Sequence, residues 1–468
     1  MNTPDFVDKD LLDRAHRHAL EFLNALPERH VSAIATRDEL LHALSIPLSD
    51  EGEHPSLVLD ELAQQAPRGN SASAGPRYFG FVIGGTLPVT LATDWLISAW
   101  DQNSGIFVTS PLVSVVEEIA SRWLLDLLAL PSEASVGFVT GGQMANFTCL
   151  VAARHAVLNR AGWNVEDDGL IGAPPINLIV SAEAHITILT SLRMLGLGTR
   201  SLQRVDTDAQ GRMQPEALEA LLARASGPTI VCAQAGNVNT GAFDPLRAIG
   251  ELTRARNSWL HVDGAFGLWA SASRDRKFLT DGVELADSWA TDAHKWLNVP
   301  YDCGMAIVRD SASHRASMTL TAAYLEQTRG AERDALDWSP EFSRRARGVT
   351  VYAALRTLGR QGIEKMIDRS CAQASQMAEI VRQHARVELL HDVVLNQVLV
   401  RFKSKSFGTD EFTRRVITKV QQDGTCWLAG TTWHDMAAMR ISFSNWATTE
   451  SDVERSAAAI LRSIEAAD

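Results

Sequence analysis

The sequence of 468 residues predicts an α/β protein built on a mainly parallel sheet. Two observations carry this. Between residues 136 and 308, short apolar runs alternate with helical segments, the pattern of strands joined by helical crossovers. The segments richest in chemically capable residues, TGGQMAN, HVDGAFG and TDAHKW, each fall at a predicted strand end, where such sheets bind ligands.

Taken in order, Leu11, Leu12, Ala15, Ala19, Phe22 and Leu23 recur at helical spacing and predict an amphipathic N-terminal helix. The Gly/Ser/Ala/Pro-rich stretch 66–76 predicts a loop. Ser110 and Pro111 read as the N-cap and first residue of a helix that Val115, Val116, Ile119, Trp123, Leu124 and Leu127 continue to Pro131. Strands are expected at 136–140, 176–180, 229–235, 259–263 and 304–308, and helices near 143–160, 185–195, 215–225 and 246–257. A long helix after residue 345 opens a region of short strands and helices. The expected organisation is an N-terminal helical segment and loop (1–75), a large α/β domain (76–345) and a small C-terminal α+β domain (346–468).

Composition narrows the function. Apolar residues make up 46% and charged residues 21%, the balance of a globular protein. The formal charge of −12, with no dense Lys/Arg stripe, argues against non-specific nucleic-acid binding. No run reaches the roughly 20 apolar residues of a membrane helix, and the first twenty residues lack the apolar core of a signal peptide. Five scattered cysteines without a CxxC suit free thiols in a reducing compartment, so a cytoplasmic protein without a metal site is expected.

Four residue groups carry the candidate chemistry. Lys295, between His294 and Trp296, is an amine that works as a nucleophile when desolvated. Asp263 ends a strand, and small residues follow it, so its carboxylate can accept a hydrogen bond from a protonated ring nitrogen while a flat ring lies against the backbone. His185 follows a strand and opens a helix, where an imidazole can stack on a ring. Thr140-Gly141-Gly142-Gln143 joins a strand to a helix N-terminus, where backbone N–H groups and the helix dipole favour a phosphate. Each has an ordinary account by itself: a surface lysine, a cap, a core histidine, a tight turn.

As an ordered set these segments resemble the group II pyridoxal-5′-phosphate (PLP) amino-acid decarboxylases, which include aromatic-L-amino-acid, tyrosine and glutamate decarboxylases. The resemblance runs from about residue 70 to 450. It includes PRYFGF (76–81), TSPLVSVVEEIASRWLLDLL (109–128), GGQMANFTCLVAAR (141–154), EAHITILTSLRMLG (183–196), HVDGAFG (261–267) and DAHKWLNVPYDCG (292–304). It implies the fold type I of PLP-dependent transferases. Lys295 then matches the Schiff-base lysine, Asp263 the partner of the pyridine nitrogen, His185 the ring-stacking histidine and Ala265 the small residue beneath the ring. Gly142 and Gln143 match phosphate-binding positions, His294 the residue before the lysine, and Asn237 a threonine near the cofactor. Arg440 matches an arginine that binds a substrate carboxylate, and Val82 and Ile83 lie in the substrate-side loop 81–87. The resemblance also implies a homodimer with shared active sites, segment 76–111 reaching the partner's site.

Three departures qualify the match. Asp292 stands where many relatives carry a phosphate-binding Asn, and a carboxylate there is expected to turn away or bond backbone amides. Loop 81–87 lacks the aromatics of the aromatic-acid decarboxylases. Segment 322–342 lacks the tyrosine those enzymes place near its tip, with Tyr324 only at its start. The expected reaction is decarboxylation of a small-molecule L-amino acid to amine and CO₂. The alternatives are an aldehyde synthase, in which oxidative deamination accompanies decarboxylation, or another fold type I lyase or aminotransferase.

Overall fold

The computed structural model describes residues 8–48, 50–319 and 332–468. Its centre is a seven-stranded sheet. The strands are β1 (Ser135–Val139), β2 (Asn177–Ser181), β3 (Gln203–Val205), β4 (Thr229–Gln234), β5 (Trp259–Asp263), β6 (Ser288–Asp292) and β7 (Gly304–Val308), in the order β1-β7-β6-β5-β4-β2-β3. β7 runs antiparallel to both β1 and β6, and the remaining pairs are parallel. The apolar run 304–308 predicts the strand but not its direction, because a strand buried on both faces shows no alternation.

The helices are α1 (Lys9–Ala25), α2 (Arg37–Leu44), α3 (Pro55–Gly69), α4 (Pro88–Trp100), α5 (Pro111–Leu127), α6 (Gly142–Arg160), the single turn α7 (Val165–Asp168), α8 (Ile186–Met194), α9 (Pro215–Leu222), α10 (Leu246–Ala255), α11 (Ser311–Met318), α12 (Arg347–Val381), α13 (Thr409–Asp423) and α14 (Glu450–Ala466). A second sheet, antiparallel throughout, pairs β8 (Val387–Leu389), β9 (Gln397–Phe402), β10 (Ala429–Trp433) and β11 (Met436–Ser442) in the order β10-β11-β9-β8.

The loop expected at 66–76 starts late, because α3 runs to Gly69 with Pro67 in its last turn. The Asn70 N–H closes that turn on the Ala66 carbonyl, and the Arg68 carbonyl accepts from Ile34 and Ala35. These tertiary bonds outweigh the breaker composition. Ser110 is the N-cap of α5 as expected, but its hydroxyl donates to the Asn103 carbonyl rather than capping the helix.

Apolar side chains fill both faces of the large sheet. Trp269, Trp289 and Trp296 are fully buried in the main core, and α6 packs Ala145, Cys149, Leu150 and Ala153 on the opposite side. Trp296 anchors the backbone next to Lys295, and truncating it to Ala costs about 3–5 kcal/mol. The antiparallel sheet has its own core of Phe402, Phe412, Met439, Phe443 and Ile460 with helices α12 to α14. In contrast, α1, α2 and α3 bury no residue.

Candidate active site

The carboxyl ends of β1, β2, β5 and β6 lead directly into Gly141, His185, Asp263 and Lys295. β6 ends at Asp292, whose N–H donates to the Ala265 carbonyl (2.9 Å) and whose carbonyl accepts from Trp269 Nε1 (3.1 Å). The chain then turns. Ala293 and His294 N–H both donate to the Cys303 carbonyl, and the Cys303 N–H returns a bond to His294 Nδ1 (3.1 Å). That bond leaves the His294 proton on Nε2, and burial lowers its pKa, so the ring is neutral. Gly84 packs on this turn so closely that a Cβ there would meet the Lys295 carbonyl oxygen at 1.8 Å.

Lys295 Nζ lies 2.9 Å from Asp292 Oδ2. The expectation that Asp292 turns away or bonds amides is therefore corrected. Its side chain is buried, one oxygen on the lysine and the other 3.5 Å from His294 Nε2, without a hydrogen bond among the described residues. The buried carboxylate pairs with the half-buried lysine, because an unpaired charge in this setting is costly.

Asp263 is 5% exposed. Its Oδ1 accepts from the Ala265 N–H and its Oδ2 from Asn146 Nδ2, both at 3.1 Å, leaving lone pairs for a further donor. His185 caps α8, its Nδ1 meeting the Thr187 hydroxyl at 2.9 Å and the Thr187 N–H at 3.4 Å. Burial lowers its pKa, and the charges of Asp263, Lys295, Arg440 and Asp292 all act on it, so these groups surround one imidazole. Arg440, on β11, brings the second sheet to the site. It is 8% exposed, burial pushes its pKa down to about 10, and among the described residues no carboxylate pairs with it.

The turn after β1 forms a close cradle. A Cβ at Gly141 would lie 2.9 Å from His294 Cε1, and one at Gly142 2.6 Å from Asp292 Oδ2. The first amides of α6, at Gly142, Gln143 and Met144, have no acceptor within the helix and form an anion seat. The Gln143 side chain is exposed and leans on Met194, so its backbone suits an anion better than its amide does.

Three further candidates, Asn237, Val82 and Ile83, have these surroundings. The Asn237 Oδ1 accepts from the Asn239 and Thr240 N–H groups of its own turn, and its buried Nδ2 has no partner among the described residues and lies against Gly211. The turn uses the oxygen of this side chain and leaves the amide nitrogen as a donor. Val82 is 1% exposed in the main core and Ile83 packs beside Tyr78 and Trp427, whereas Phe81 is the exposed member of that loop. Tyr324 lies outside the described residues. The sequence reading did not single out Asn146, Thr187 or His261, although the first lies in GGQMANF and the last begins HVDGAFG.

Residues 40–405 match the model of the pyridoxal-dependent decarboxylase conserved domain. The chain belongs to the pyridoxal-dependent decarboxylase family. It is thus a PLP-dependent carboxy-lyase by kinship. It is 35% identical over 321 residues to the L-2,4-diaminobutyrate decarboxylase of Rhizobium meliloti (strain 1021), a match covering 67% of this chain but 62% of that protein. It is 26% identical to the aromatic-L-amino-acid decarboxylase of Bacillus atrophaeus, across 93% of this chain and 90% of that one. In fold it matches the crystal structure of Oryza sativa TDC with PLP and tryptamine, with a TM-score of 0.91, 23% identity and 99% of each chain covered.

PLP is the cofactor of this family, and the site fits it: a carboxylate with free lone pairs at Asp263, an amine at Lys295, and the glycine cradle at the α6 N-terminus. Asp292 is the one feature that opposes it, a carboxylate placed against the anion seat.

Proposed function

We propose that this chain removes the α-carboxylate of a small L-amino acid as CO₂ and releases the amine. The observation that carries the reading is Arg440, a buried guanidinium without a counter-ion among the described residues, beside the imidazole that Lys295 and Asp263 also face. A buried charge of this kind calls for an anion, and the guanidinium fork matches a carboxylate.

When bound, PLP supplies a positively charged ring that draws electrons from the carbon losing CO₂. Lys295 Nζ would hold it covalently, and Asp263 would accept a hydrogen bond from its ring nitrogen. Backbone amides at Gly142 and Gln143 would hold its phosphate, and Ala265 and His185 would line its ring. His185 is neutral and keeps its proton on Nε2, since Nδ1 is engaged by Thr187. His294 is locked to the Cys303 N–H and fixes the turn that carries the lysine. Arg440 binds a substrate carboxylate.

The same reading makes the chain a homodimer. Its support is the bare N-terminal face: α1 to α3 bury nothing, and Leu12, Leu57, Leu62, Trp95, Leu96 and Leu112 are exposed. Loop 81–87, with Val82, Ile83 and exposed Phe81, then belongs to the substrate side. We also read segments 1–75, 76–345 and 346–468 as three parts; a second core surrounds the antiparallel sheet, and α12 also contributes Val351, Leu355 and Ile363 to the main core. Five buried free cysteines suit a cytoplasmic location, and no helix among the described residues is long and apolar enough to cross a membrane. The test is to incubate the PLP-loaded protein with each common L-amino acid and with L-2,4-diaminobutyrate, following CO₂ and product mass. One substrate should give CO₂ and amine in near-equal amounts, whereas turnover that keeps the carboxylate on the product would overturn the proposal.

A further inference from the structure

A continuous hydrogen-bonded chain runs beneath the site, and its directions are set by chemistry. The indole Nε1–H of Trp259 is donor only and donates to Ser288 Oγ at 2.9 Å. Ser288 lies 3.0 Å from His261 Nδ1 and His261 Nε2 lies 2.9 Å from Asn146 Oδ1. An amide oxygen only accepts, so His261 carries its proton on Nε2, and Ser288 donates to Nδ1. Burial pushes the His261 pKa down to about 4, which keeps this one-proton form at neutral pH. The amide group of Asn146 then donates in two directions, to Asp263 Oδ2 and to Thr187 Oγ1, each at 3.1 Å. Thr187, having accepted, donates to His185 Nδ1. Asn146, His261 and Ser288 are fully buried, so water does not compete.

We infer that Asn146 is a positioning residue that joins Asp263 and His185 into one unit, holding the first as a hydrogen-bond acceptor and the second as an Nε2–H donor. This rests on the roles proposed above for Asp263 and His185. The amide is suited to the task because it spends its oxygen on His261 and still offers both N–H groups, one to each branch. An ionised Asp in its place has no donor, and Ala has neither group. His261 acts behind it: by filling Asn146 Oδ1 it fixes which end of the amide faces Asp263, an orientation that shape alone does not decide.

The test uses holoenzyme loaded with PLP carrying ¹⁵N in the ring. The ring-nitrogen resonance and the kinetic constants are compared for wild type, Asp263→Asn, Asn146→Ala, Asn146→Asp and Thr187→Val. Asp263→Asn should move the resonance strongly. Asn146→Ala should move it part of the way in the same direction and lower kcat about 10-fold or more, with KM within about twofold, as expected for a lost bond to a charged group. Asn146→Asp keeps the shape and should do the same if the Ala variant does not fold. Thr187→Val should leave the resonance at its wild-type position while lowering kcat through His185 alone. A simple packing role would reduce stability but leave the ring nitrogen unmoved. If Asp263→Asn moves the resonance and neither Asn146 variant does, the inference is wrong and the site reading stands. If Asp263→Asn itself leaves it unmoved, the assignment of Asp263 fails and the inference with it.

Discussion

Replacing Arg440 with Met should weaken the enzyme for its substrate and strengthen the free protein, two effects of opposite sign. In the folded chain the guanidinium is 8% exposed and no carboxylate among the described residues offsets its charge. Burial lowers its pKa to about 10, which corresponds to a cost on the order of 3 kcal/mol for keeping the charge inside at pH 7. The sign follows from linkage: a base whose folded pKa is depressed destabilises the fold wherever both states are charged, and the cost begins to fall only as pH rises above about 10. Met fills similar volume without charge, so part of that cost is recovered, and the PLP-loaded variant should melt about 1–3 °C higher. Substrate loses its counter-ion, and removing one partner of a buried charge pair costs about 2–5 kcal/mol. KM should therefore rise at least ~30-fold while PLP remains bound. Differential scanning fluorimetry and steady-state kinetics on the same preparation read both effects. Unchanged KM together with a lower melting temperature would show that Arg440 is a structural residue and remove it from the substrate site.

Three other outcomes follow from the same geometry. Asp292→Asn removes a carboxylate from the anion seat, so PLP should bind about 5–10-fold more tightly by fluorescence titration; weaker binding would mean that the pairing with Lys295 serves cofactor capture. His261 and His314 are fully buried with pKa values lowered by burial to about 4 and about 3. As pH falls below ~6.5 the unfolded chain takes up protons that these rings refuse. Stability should thus be lost progressively from pH 6.5 toward 4, and a denaturation midpoint equal at pH 7 and pH 5 would contradict it. Amine and CO₂ should form in near-equal amounts with only a minor oxygen-dependent aldehyde fraction; aldehyde as the main aerobic product would make the chain an aldehyde synthase.

Much of the fold was legible because each buried strand is a bounded apolar run: WLHVD and GMAIV coincide with β5 and β7. The candidate segments were legible for the same reason, since they stand where those runs stop. Other features needed three dimensions. Asp292 meets Lys295 one turn later in the chain, yet only the closed loop through Cys303 brings their ends to 2.9 Å. Asn146 sits on an all-round buried helix, where nothing in the pattern separates a polar hub from a tolerated polar residue. At Asn237 a carboxamide two residues before an N–H closes its own turn through its oxygen, and the sequence does not show that its nitrogen stays available. The bare faces of α1 to α3 carry amphipathic spacing that says they pack, without saying against what.

The account rests most heavily on Lys295 as the residue that holds the cofactor. Purified PLP-loaded protein, treated with borohydride and digested, should carry a single pyridoxyl group, on the peptide containing Ala293-His294-Lys295-Trp296, with Lys295→Ala losing the label. A pyridoxyl group fixed on any other lysine, or a label that survives Lys295→Ala, would contradict it.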